Sequence, residues 1–381
     1  MKYSIIVPVF NRPDEVDELL ESLCSQTLKD FEVIIVEDGS KNPCKDVCDK
    51  YAGVLDLHYY YKENSGPGQS RNYGAERAKG DWLIVLDSDV VLPPNYMAAA
   101  NSTLSTLNSK LNISAFGGPD AAHPDFTPVQ KAISYSMTSF FTTGGIRGGS
   151  SHRSGGTRGA LDKFFPRSYN MGIRREVYQE LGGFSKMRFG EDIDFSYRIV
   201  EAGYKTALIP EAWVWHKRRT DFRKFFRQVC NSGRARINLE KRHPGTTKLV
   251  HLLPMVFTVG TLLLTAVAVV GLLLVLFGLL TANRPGCNMS PVVILSGIVI
   301  AGVALSPLLL YSLLICIDSS IRNLNPWVGL LSIPAAFTQL MGYGFGFIEQ
   351  WWKRCVLKQG EFAHSEQSET ERQAFEKQFY K

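Results

Sequence analysis

Two long stretches of the chain contain no Asp, Glu, Lys or Arg, and they constrain its fold more than any other feature. One covers residues 249–283 and the other covers residues 285–317. Each supplies the roughly 20 apolar residues that a helix needs to cross a bilayer. A helix buried in a soluble core is the alternative, but runs of this length without a polar face disfavour it. The sequence therefore predicts a membrane region over residues 249–350.

A third uncharged segment, residues 326–348, is interrupted by Pro334 and several glycines. It either crosses the membrane or enters and returns on the same side, so two or three helices span the membrane. Trp351 and Trp352, followed by basic residues, are typical of an interfacial anchor. Basic residues favour the cytosolic side, whereas three spans would carry the C-terminus outside, and the topology therefore stays open. Residues 351–381 are predicted to be a polar tail without a core.

The first half of the chain alternates short apolar runs with helical patterns. The runs that predict strands are residues 4–9, 31–36, 55–61 and 83–86. Helical spacing of apolar residues follows each of the first three runs. Strands that alternate with helices are typical of βαβ units and a mostly parallel sheet. We therefore predict an α/β, Rossmann-like domain over residues 1–245, followed by the C-terminal transmembrane helices.

Two features predict that this N-terminal half lies in the cytosol. The apolar start of the chain is short, is broken by Pro8 and runs into charged residues without a cleavage site, which favours a first strand over a signal peptide. The seven cysteines are odd in number and irregularly spaced, which argues against a disulfide framework. Cys44 and Cys48 are spaced to meet on one helix face, but no second Cys/His pair follows at zinc-site spacing. We expect free thiols in a reducing compartment.

Acidic side chains follow two of the predicted strands. The run 83–86 ends in Asp87-Ser88-Asp89, and Asp38 comes directly after the second strand. Asp and Ser also form turns, and for the Asp87-Ser88-Asp89 motif alone that interpretation stays open. Carboxyl ends of parallel strands share one edge of the sheet, where ligands of open α/β folds bind. Carboxylates at that edge are able to hold a divalent cation against a diphosphate.

Positive charge is concentrated directly before the membrane region. The chain as a whole has 42 Lys and Arg against 36 Asp and Glu, a mild net charge of +6. Lys and Arg crowd residues 218–242, among aromatic residues at helical spacing. This pattern predicts a basic interfacial segment over residues 216–245, with an amphipathic helix over residues 221–240 at the inner leaflet and its cations facing anionic lipids. Nucleic-acid binding is the alternative, but the adjacent membrane segment favours lipid, and we expect no nucleic-acid partner.

Five short motifs follow one another within residues 2–216. They are IIVPVFNR at 5–12, VIIVEDGS at 33–40, GPGQSRNYG at 66–74, LDSD at 86–89, and GGF at 182–184 followed by GEDIDFSYR at 190–198. In content and order they resemble the family 2 glycosyltransferases of the GT-A fold. The membrane part resembles bacterial members of that family that build surface polysaccharides.

The resemblance implies a nucleoside diphosphate sugar as donor. Asp38 would accept hydrogen bonds from a uracil-type base and from the ribose, and its alternative role is to cap a helix. Arg71 would reach the nucleotide, and its alternative is a solvated helix face. The other positions that the resemblance assigns to the donor are Pro8, Val9, Asn11, Asp87 and Ser88.

The resemblance also implies a bound Mg²⁺ or Mn²⁺ and a general base. Asp89 would bind the metal directly, with Asp87 and His216 as further ligands, and the metal would neutralise charge on the departing diphosphate. For His216 the alternative is a side chain that only closes a strand. Asp192 would deprotonate the acceptor hydroxyl, and Glu191 would support it or bind the acceptor. The alternative for these two acids is stabilisation of a helix N-terminus.

Two further regions bear on the acceptor. Two Gly-Gly-x-Arg-Gly units form a glycine-rich, cationic loop with Arg147, Arg153 and Arg158. Such a loop suits the donor diphosphate or a lipid-linked pyrophosphate acceptor, and a disordered surface loop is the alternative. Processive synthases of the family carry Gln-x-x-Arg-Trp near the membrane, whereas residues 228–234 read QVCNSGR. This difference favours the transfer of a single sugar.

The resemblance thus implies a metal-dependent, inverting transfer of one sugar from a UDP-linked donor to a lipid-linked or glycan acceptor. The protein is expected to be a multi-pass component of a bacterial-type inner membrane, with its catalytic domain in the cytosol and membrane lipids as partners. The alternatives are a processive polysaccharide synthase and a non-catalytic membrane scaffold that kept the fold. A nucleotidyltransferase would need a Gly-rich, basic phosphate loop after the first strand, which the sequence lacks.

Overall fold

The structure is a computed structural model that describes residues 2–144, 164–187, 189–282 and 290–360. Side chains are described for all of these except residues 107–110 and 290. The predicted cationic loop with Arg147, Arg153 and Arg158 lies outside the described residues, as does most of the predicted C-terminal tail.

Parallel strands build the first half of the N-terminal domain. They are β1 (Tyr3–Val9), β2 (Phe31–Asp38), β3 (Leu57–Lys62) and β4 (Trp82–Leu86). These strands lie side by side in the order β3-β2-β1-β4 and are parallel throughout. The helices between them are α1 (Pro13–Cys24), α2 (Lys45–Tyr51) and α3 (Pro67–Ala75). The predicted βαβ order is confirmed, and the acids that follow β2 and β4 share one sheet edge.

The sheet continues beyond β4 through β8 (Asn170–Arg174), β6 (Ala115–Gly117) and β9 (Thr206–Leu208). Strand β8 runs antiparallel to both β4 and β6, so the sheet is mostly parallel, as predicted. The helices of this half are α4 (Tyr96–Leu111), α5 (Pro128–Thr138), α6 (Phe140–Thr143), α7 (Arg175–Glu180) and α8 (Glu191–Glu201). Every residue of β1, β2 and β4 is buried, because helices cover both faces of the sheet.

A second, small sheet brings distant parts of the chain to the end of β4. It consists of β5 (Val90–Val91), β10 (Val214–His216) and β7 (Asp120–Ala121), in the order β5-β10-β7. His216 pairs with Val90, directly after Asp89. The Lys217 N–H donates to the Asp89 carbonyl at 3.0 Å. This short antiparallel pairing holds His216 beside the two aspartates.

Four long helices complete the described chain. They are α9 (Phe222–Arg242), α10 (Leu253–Thr281), α11 (Ser290–Asn323) and α12 (Pro326–Trp351). Three helical stretches are long and apolar enough to cross a membrane, Leu249–Thr281, Pro291–Asn323 and Pro326–Val356. The third predicted segment is a continuous helix. In its most apolar stretch of 18 residues, 50% of the residues are buried, against 17% in the corresponding stretch of each of the other two helices.

Glycines let α12 approach two neighbours closely. A Cβ at Gly346 would lie 1.9 Å from the Cys230 carbonyl oxygen of α9, and one at Gly344 would lie 2.1 Å from Thr258 Oγ1 of α10. The glycines that make this segment look irregular in the sequence are therefore packing positions.

Helix α9 is confirmed, and Asp221 caps its N-terminus by accepting from the Lys224 N–H at 2.7 Å. Two of its apolar side chains are buried against protein. Phe225 and Val229 pack with residues of α5, and Gly233 lies against the backbone of α12. The helix thus lies between the α/β domain and the long apolar helices. Contact between its cations and lipid headgroups stays a prediction.

The cysteines that the structure describes are free thiols. Cys44 and Cys48 meet on one face of α2, as their spacing predicts, with their sulfur atoms 3.9 Å apart.

Candidate active site

Asp87, Asp89 and His216 form a compact group of ligand atoms at the end of β4. One ligand atom from each lies within 4.8 Å of the others. His216 Nε2 is 3.3 Å from Asp89 Oδ1, and His216 Nδ1 is buried without a hydrogen-bond partner among the described residues. Carboxylates with an imidazole suit Mn²⁺ and Mg²⁺, so the residues present fit a divalent cation. The three side chains that the resemblance assigns to the metal thus lie together, and metal binding by them stays a prediction.

Two arginines that sequence reasoning did not assign to the site lie next to Asp89. The Arg12 guanidinium donates to Asp89 Oδ2 at 2.7 Å. Burial opposes the charge on Asp89, but His216, Arg12 and Arg219 outweigh it and hold the pKa of Asp89 well below its ordinary value. Burial lowers the pKa of Arg219 against the opposing charges of Asp89 and Asp87. A cation that burial disfavours in this way is better stabilised when an anionic ligand binds beside it.

Arg71 connects the acidic group to the first turn of α8. Its side chain is 4% exposed and donates to Asp87 Oδ1 at 2.8 Å and to Glu191 Oε1 at 3.0 Å. The guanidinium also lies 5.1 Å from the centre of the Phe184 ring. Burial, with the nearby charge of Asp192, raises the pKa of Glu191 despite the opposing charge of Arg71. Arg71 is therefore a buried site residue, and the alternative of a solvated helix face is wrong.

Asp192 begins α8 beside Glu191, and its Oδ2 accepts from Arg167 at 3.3 Å. The helix is preceded by Gly190 with φ of 83°, and no side chain makes a capping hydrogen bond at its N-terminus. The two acids contact Arg71 and Arg167 instead. Both line the cleft described below.

Asp194 lies two residues further along α8 and has a different environment. It is 2% exposed and accepts from Ser185 Oγ at 2.6 Å and from Arg198 Nε at 3.0 Å. His243 Nε2, just past the end of α9, lies 3.0 Å from its other oxygen. Burial opposes ionisation, but these partners outweigh it and lower the pKa of Asp194. Asp194 ties α8 to α9 and is a structural acid.

Asp38 is 1% exposed at the end of β2. Its carboxylate accepts from the backbone N–H groups of Ser65 and Gly66, each at 2.9 Å, and from Lys62. These bonds order the loop that leads into α3. Asp38 does not cap a helix in this structure, and its contact with a nucleobase stays a prediction.

The other predicted donor positions lie at the same sheet edge. Pro8 and Val9 are buried at the end of β1, and Ser88 is buried between the two aspartates. Asn11 has φ of 53°, and its Oδ1 accepts from the N–H groups of Lys41 and Asn42. Asn11 therefore holds the turn after β1 against the segment after β2.

A cleft of about 650 Å³ runs from this site to the helices of the membrane region. Its lining includes Arg12, Glu191 and Asp192, residues 142–144, and residues of α9, the start of α10 and α12. Six Lys and Arg side chains line the cleft against three carboxylates. Asp38, Asp87 and Asp89 are not among its lining residues, although Arg12 and Glu191, which contact the site directly, are.

Comparison with known proteins finds a family match in the N-terminal part of the chain. Residues 4–182 match the family described as glycosyl transferase family 2. An uncharacterized glycosyltransferase of Haemophilus influenzae is 32% identical over 209 residues, which are 52% of this chain and 62% of that protein. TarS of Staphylococcus aureus, a poly(ribitol-phosphate) beta-N-acetylglucosaminyltransferase, is 37% identical over 93 residues, which are 23% of this chain and 16% of TarS. The chain thus spans less than two thirds of the length of these curated relatives.

A solved structure has the same fold over most of the chain. The mannosyltransferase PcManGT from Pyrobaculum calidifontis, in complex with GDP-mannose and Mn²⁺, matches with a TM-score of 0.51 at 16% sequence identity. The match covers 93% of this chain and 88% of PcManGT. At this identity the likeness shows the fold, and the predicted GT-A architecture is confirmed.

Proposed function

We propose that this chain, a family 2 glycosyltransferase through its residues 4–182, transfers a single sugar from a UDP-linked donor to a hydroxyl of a lipid-linked or glycan acceptor. The transfer inverts the anomeric carbon and requires Mg²⁺ or Mn²⁺. One buried side chain carries the proposal. Arg71 joins Asp87 of the acidic group to Glu191, next to Asp192 in the cleft. This contact connects a candidate metal site to a candidate base in one site.

Asp87, Asp89 and His216 would hold the cation, because their ligand atoms are close together and of the right chemistry. Bound there, the cation supplies Lewis-acid assistance to the departing nucleoside diphosphate. Arg12 and Arg219 add positive charge next to Asp89. We assign these two arginines to the donor diphosphate, since guanidinium groups bind phosphate oxygens with two parallel hydrogen bonds.

Asp38 would bind the nucleoside, with Pro8, Val9, Asn11 and Ser88 around it. The three hydrogen bonds that Asp38 accepts here leave capacity for one more, because a carboxylate has about four acceptor sites. A nucleobase N–H or a ribose hydroxyl is a suitable additional donor.

In the reaction, the acceptor hydroxyl oxygen attacks the anomeric carbon of the donor sugar. The new carbon–oxygen bond forms as the bond from that carbon to the diphosphate oxygen breaks, and the nucleoside diphosphate leaves with the electron pair. Asp192 takes the hydroxyl proton. Arg167, 3.3 Å from Asp192, holds the base in place, and Glu191 supports it through Arg71. Attack opposite the leaving group inverts the configuration.

The position of the cleft supports an acceptor that approaches from the membrane side. Its walls include the start of α10 and α12, which are long and apolar enough to cross a membrane. The similarity to TarS, a poly(ribitol-phosphate) beta-N-acetylglucosaminyltransferase, supports a role in cell-surface polysaccharide or glycolipid synthesis. We place the protein in a bacterial-type cytoplasmic membrane as a multi-pass protein, with the catalytic domain on the cytosolic side.

The test incubates the full chain, in detergent or nanodiscs, with a panel of nucleotide sugars and Mn²⁺ or Mg²⁺. We expect slow hydrolysis of one UDP-sugar, abolished by EDTA and restored by the metal, and a product with one added sugar once an acceptor is supplied. Consumption that is unaffected by EDTA would refute the metal requirement. A ladder of products would instead identify a processive synthase.

A further inference from the structure

The face of α9 that lines the cleft is polar and basic. Its residues recur at helical spacing along that face, namely Lys224, Arg227, Gln228, Asn231 and Ser232. The opposite side is apolar, since Phe225 packs against α5. Lys224 is exposed, and its Nζ lies 3.6 Å from Asp221 Oδ2. Exposed ion pairs of this kind contribute little to stability, so Lys224 is available to a ligand. This face therefore presents positive charge to whatever occupies the cleft.

Arg236, further along α9, is a buried cation whose partners are neutral. It is 7% exposed, and its NH1 donates to the Tyr197 hydroxyl at 3.3 Å and to the Thr246 carbonyl at 3.4 Å. Among the residues that the structure describes, no carboxylate lies within salt-bridge distance of it. A buried charge without a counter-ion is costly, so a guanidinium that lines a cleft in this state indicates a bound anion.

The cations of α9 come in addition to those assigned to the donor diphosphate. Arg12 and Arg219, which we assign to the donor, lie next to Asp89 and line the same cleft. Lys224, Arg227 and Arg236 belong to a different element, α9, and add three positive charges to that lining. We assign these three to an anionic group of the acceptor.

Another part of the cleft lining is largely apolar. It includes Val250 just before α10, Leu253 and Pro254 at the start of α10, and Tyr343 of α12, with His251 and Gln339 as polar residues among them. Both helices belong to stretches that are able to cross a membrane. The cleft thus combines a basic wall and an apolar wall, and the apolar wall continues into the membrane region. An acceptor that fills it has a phosphate group and a hydrocarbon chain.

We infer that the acceptor is a lipid-linked glycan whose lipid is joined to the sugar through a phosphate or pyrophosphate. Lys224, Arg227 and Arg236 bind the phosphate, and the hydrocarbon chain leaves past Leu253 and Pro254. The sugar hydroxyl then reaches Asp192. This inference rests on the proposed function. Of the two acceptors named there, it selects the lipid-linked one.

The test measures binding, without turnover, of three probes to the full chain in detergent with EDTA present. The first probe is farnesyl pyrophosphate, which has a pyrophosphate group and a hydrocarbon chain. The other two are inorganic pyrophosphate, which has only the first, and farnesol, which has the chain without the pyrophosphate. We expect farnesyl pyrophosphate to bind at least tenfold more tightly than either part. The Lys224→Ala/Arg227→Ala double variant should weaken it by about tenfold to a hundredfold, because each removes a charge-assisted hydrogen bond. Arg236→Gln should weaken it as well.

The matched control is Arg223→Ala, which removes an exposed cation of α9 that does not line the cleft. It should leave binding of farnesyl pyrophosphate unchanged. Equal binding of inorganic pyrophosphate would point to a free phosphate, and equal binding of farnesol to an apolar groove alone. Either result, or an equal loss in the Arg223→Ala variant, overturns the inference. Because the assay reads no turnover, a chain that turns over its donor but fails here loses this inference and keeps the proposed function.

Discussion

At the scale of single residues, two acids in the first turn of α8 have different environments. Asp192 contacts Arg167 at the cleft, whereas Asp194 is buried among Ser185, Arg198 and His243. Their sequence spacing gives no hint of this difference. The motif places acids at the start of a helix, but which of them faces the cleft depends on tertiary partners that lie far away in the chain.

The substitution Asp192→Asn should lower turnover by about 10²- to 10⁴-fold, because it removes the proton acceptor but keeps the shape. Thermal unfolding should stay close to that of the unchanged chain. Measurement of initial rates and of melting temperature on the same preparation checks both expectations. A variant that retains full turnover would show that Asp192 is not the base.

The matched substitution Asp194→Asn should do the opposite. It removes a buried charge that is bonded to Arg198 and His243, so we expect a loss of about 2 kcal/mol and a melting temperature lower by about 4–8 °C. Because folding lowers the pKa of Asp194, its stabilisation is present above the ordinary value of 3.8 and is lost as the pH falls through the lower folded value. The difference in melting temperature should therefore shrink as the pH drops below about 4. An unchanged melting temperature at neutral pH would contradict the structural role.

Arg219 allows a second test at this scale. If it binds the donor diphosphate, Arg219→Ala should raise the donor KM by about tenfold to a hundredfold, the effect of losing one charge-assisted hydrogen bond. The exposed Arg223 provides a control, since Arg223→Ala removes the same charge at a position four residues after Arg219 in the sequence. Steady-state kinetics on the preferred donor compare the two. Equal effects of both substitutions would indicate general electrostatics and not a specific contact.

At the scale of elements, the sheet was more predictable than the contacts between its loops. Apolar runs define β1, β2 and β4, and parallel strands necessarily bring their carboxyl ends together, so the position of Asp38 and Asp87 followed from the sequence. The two-residue strand β5 and its partner β10 were not predictable, since so short a pairing leaves no periodicity to detect. The neighbours that this pairing gives Asp89, Arg219 among them, were missed for that reason.

The packing of α12 on α9 is the other element-level surprise. Its glycines look like interruptions in an apolar segment, and the structure shows that they admit the neighbouring backbones. The sequence of α12 alone does not show whether a glycine interrupts the helix or lets a neighbouring helix approach closely.

Gly346→Ala tests this packing. The added methyl group would lie 1.9 Å from the Cys230 carbonyl oxygen, so one helix must move, and we expect a loss of about 1–3 kcal/mol in stability. Gly260→Ala in α10 is the control, because nothing lies within 4 Å of the new Cβ there. Melting temperatures of both variants in detergent provide the comparison. Equal effects would show that the close approach of α9 and α12 is not needed for stability.

At the scale of the whole molecule, the sheet domain contacts the three long apolar helices through α9 and α5, which both pack on α12. The site at the sheet edge draws on residues from β4, α3, α8 and β10, which are far apart in the sequence. The proposed reaction requires that these side chains bind one cation and one diphosphate together. That claim is testable without knowledge of the sugar or of the acceptor.

The most direct test is a titration of the full chain with Mn²⁺ in the presence of UDP, followed by electron paramagnetic resonance of the free ion. We predict one bound Mn²⁺ per chain, with affinity at least tenfold weaker in Asp89→Asn. The control is Asp56→Asn, in the separate group formed by Glu32, Asp56 and His58, and it should leave that binding unchanged. Mn²⁺ binding that survives Asp89→Asn, or that is lost in Asp56→Asn, would contradict the account.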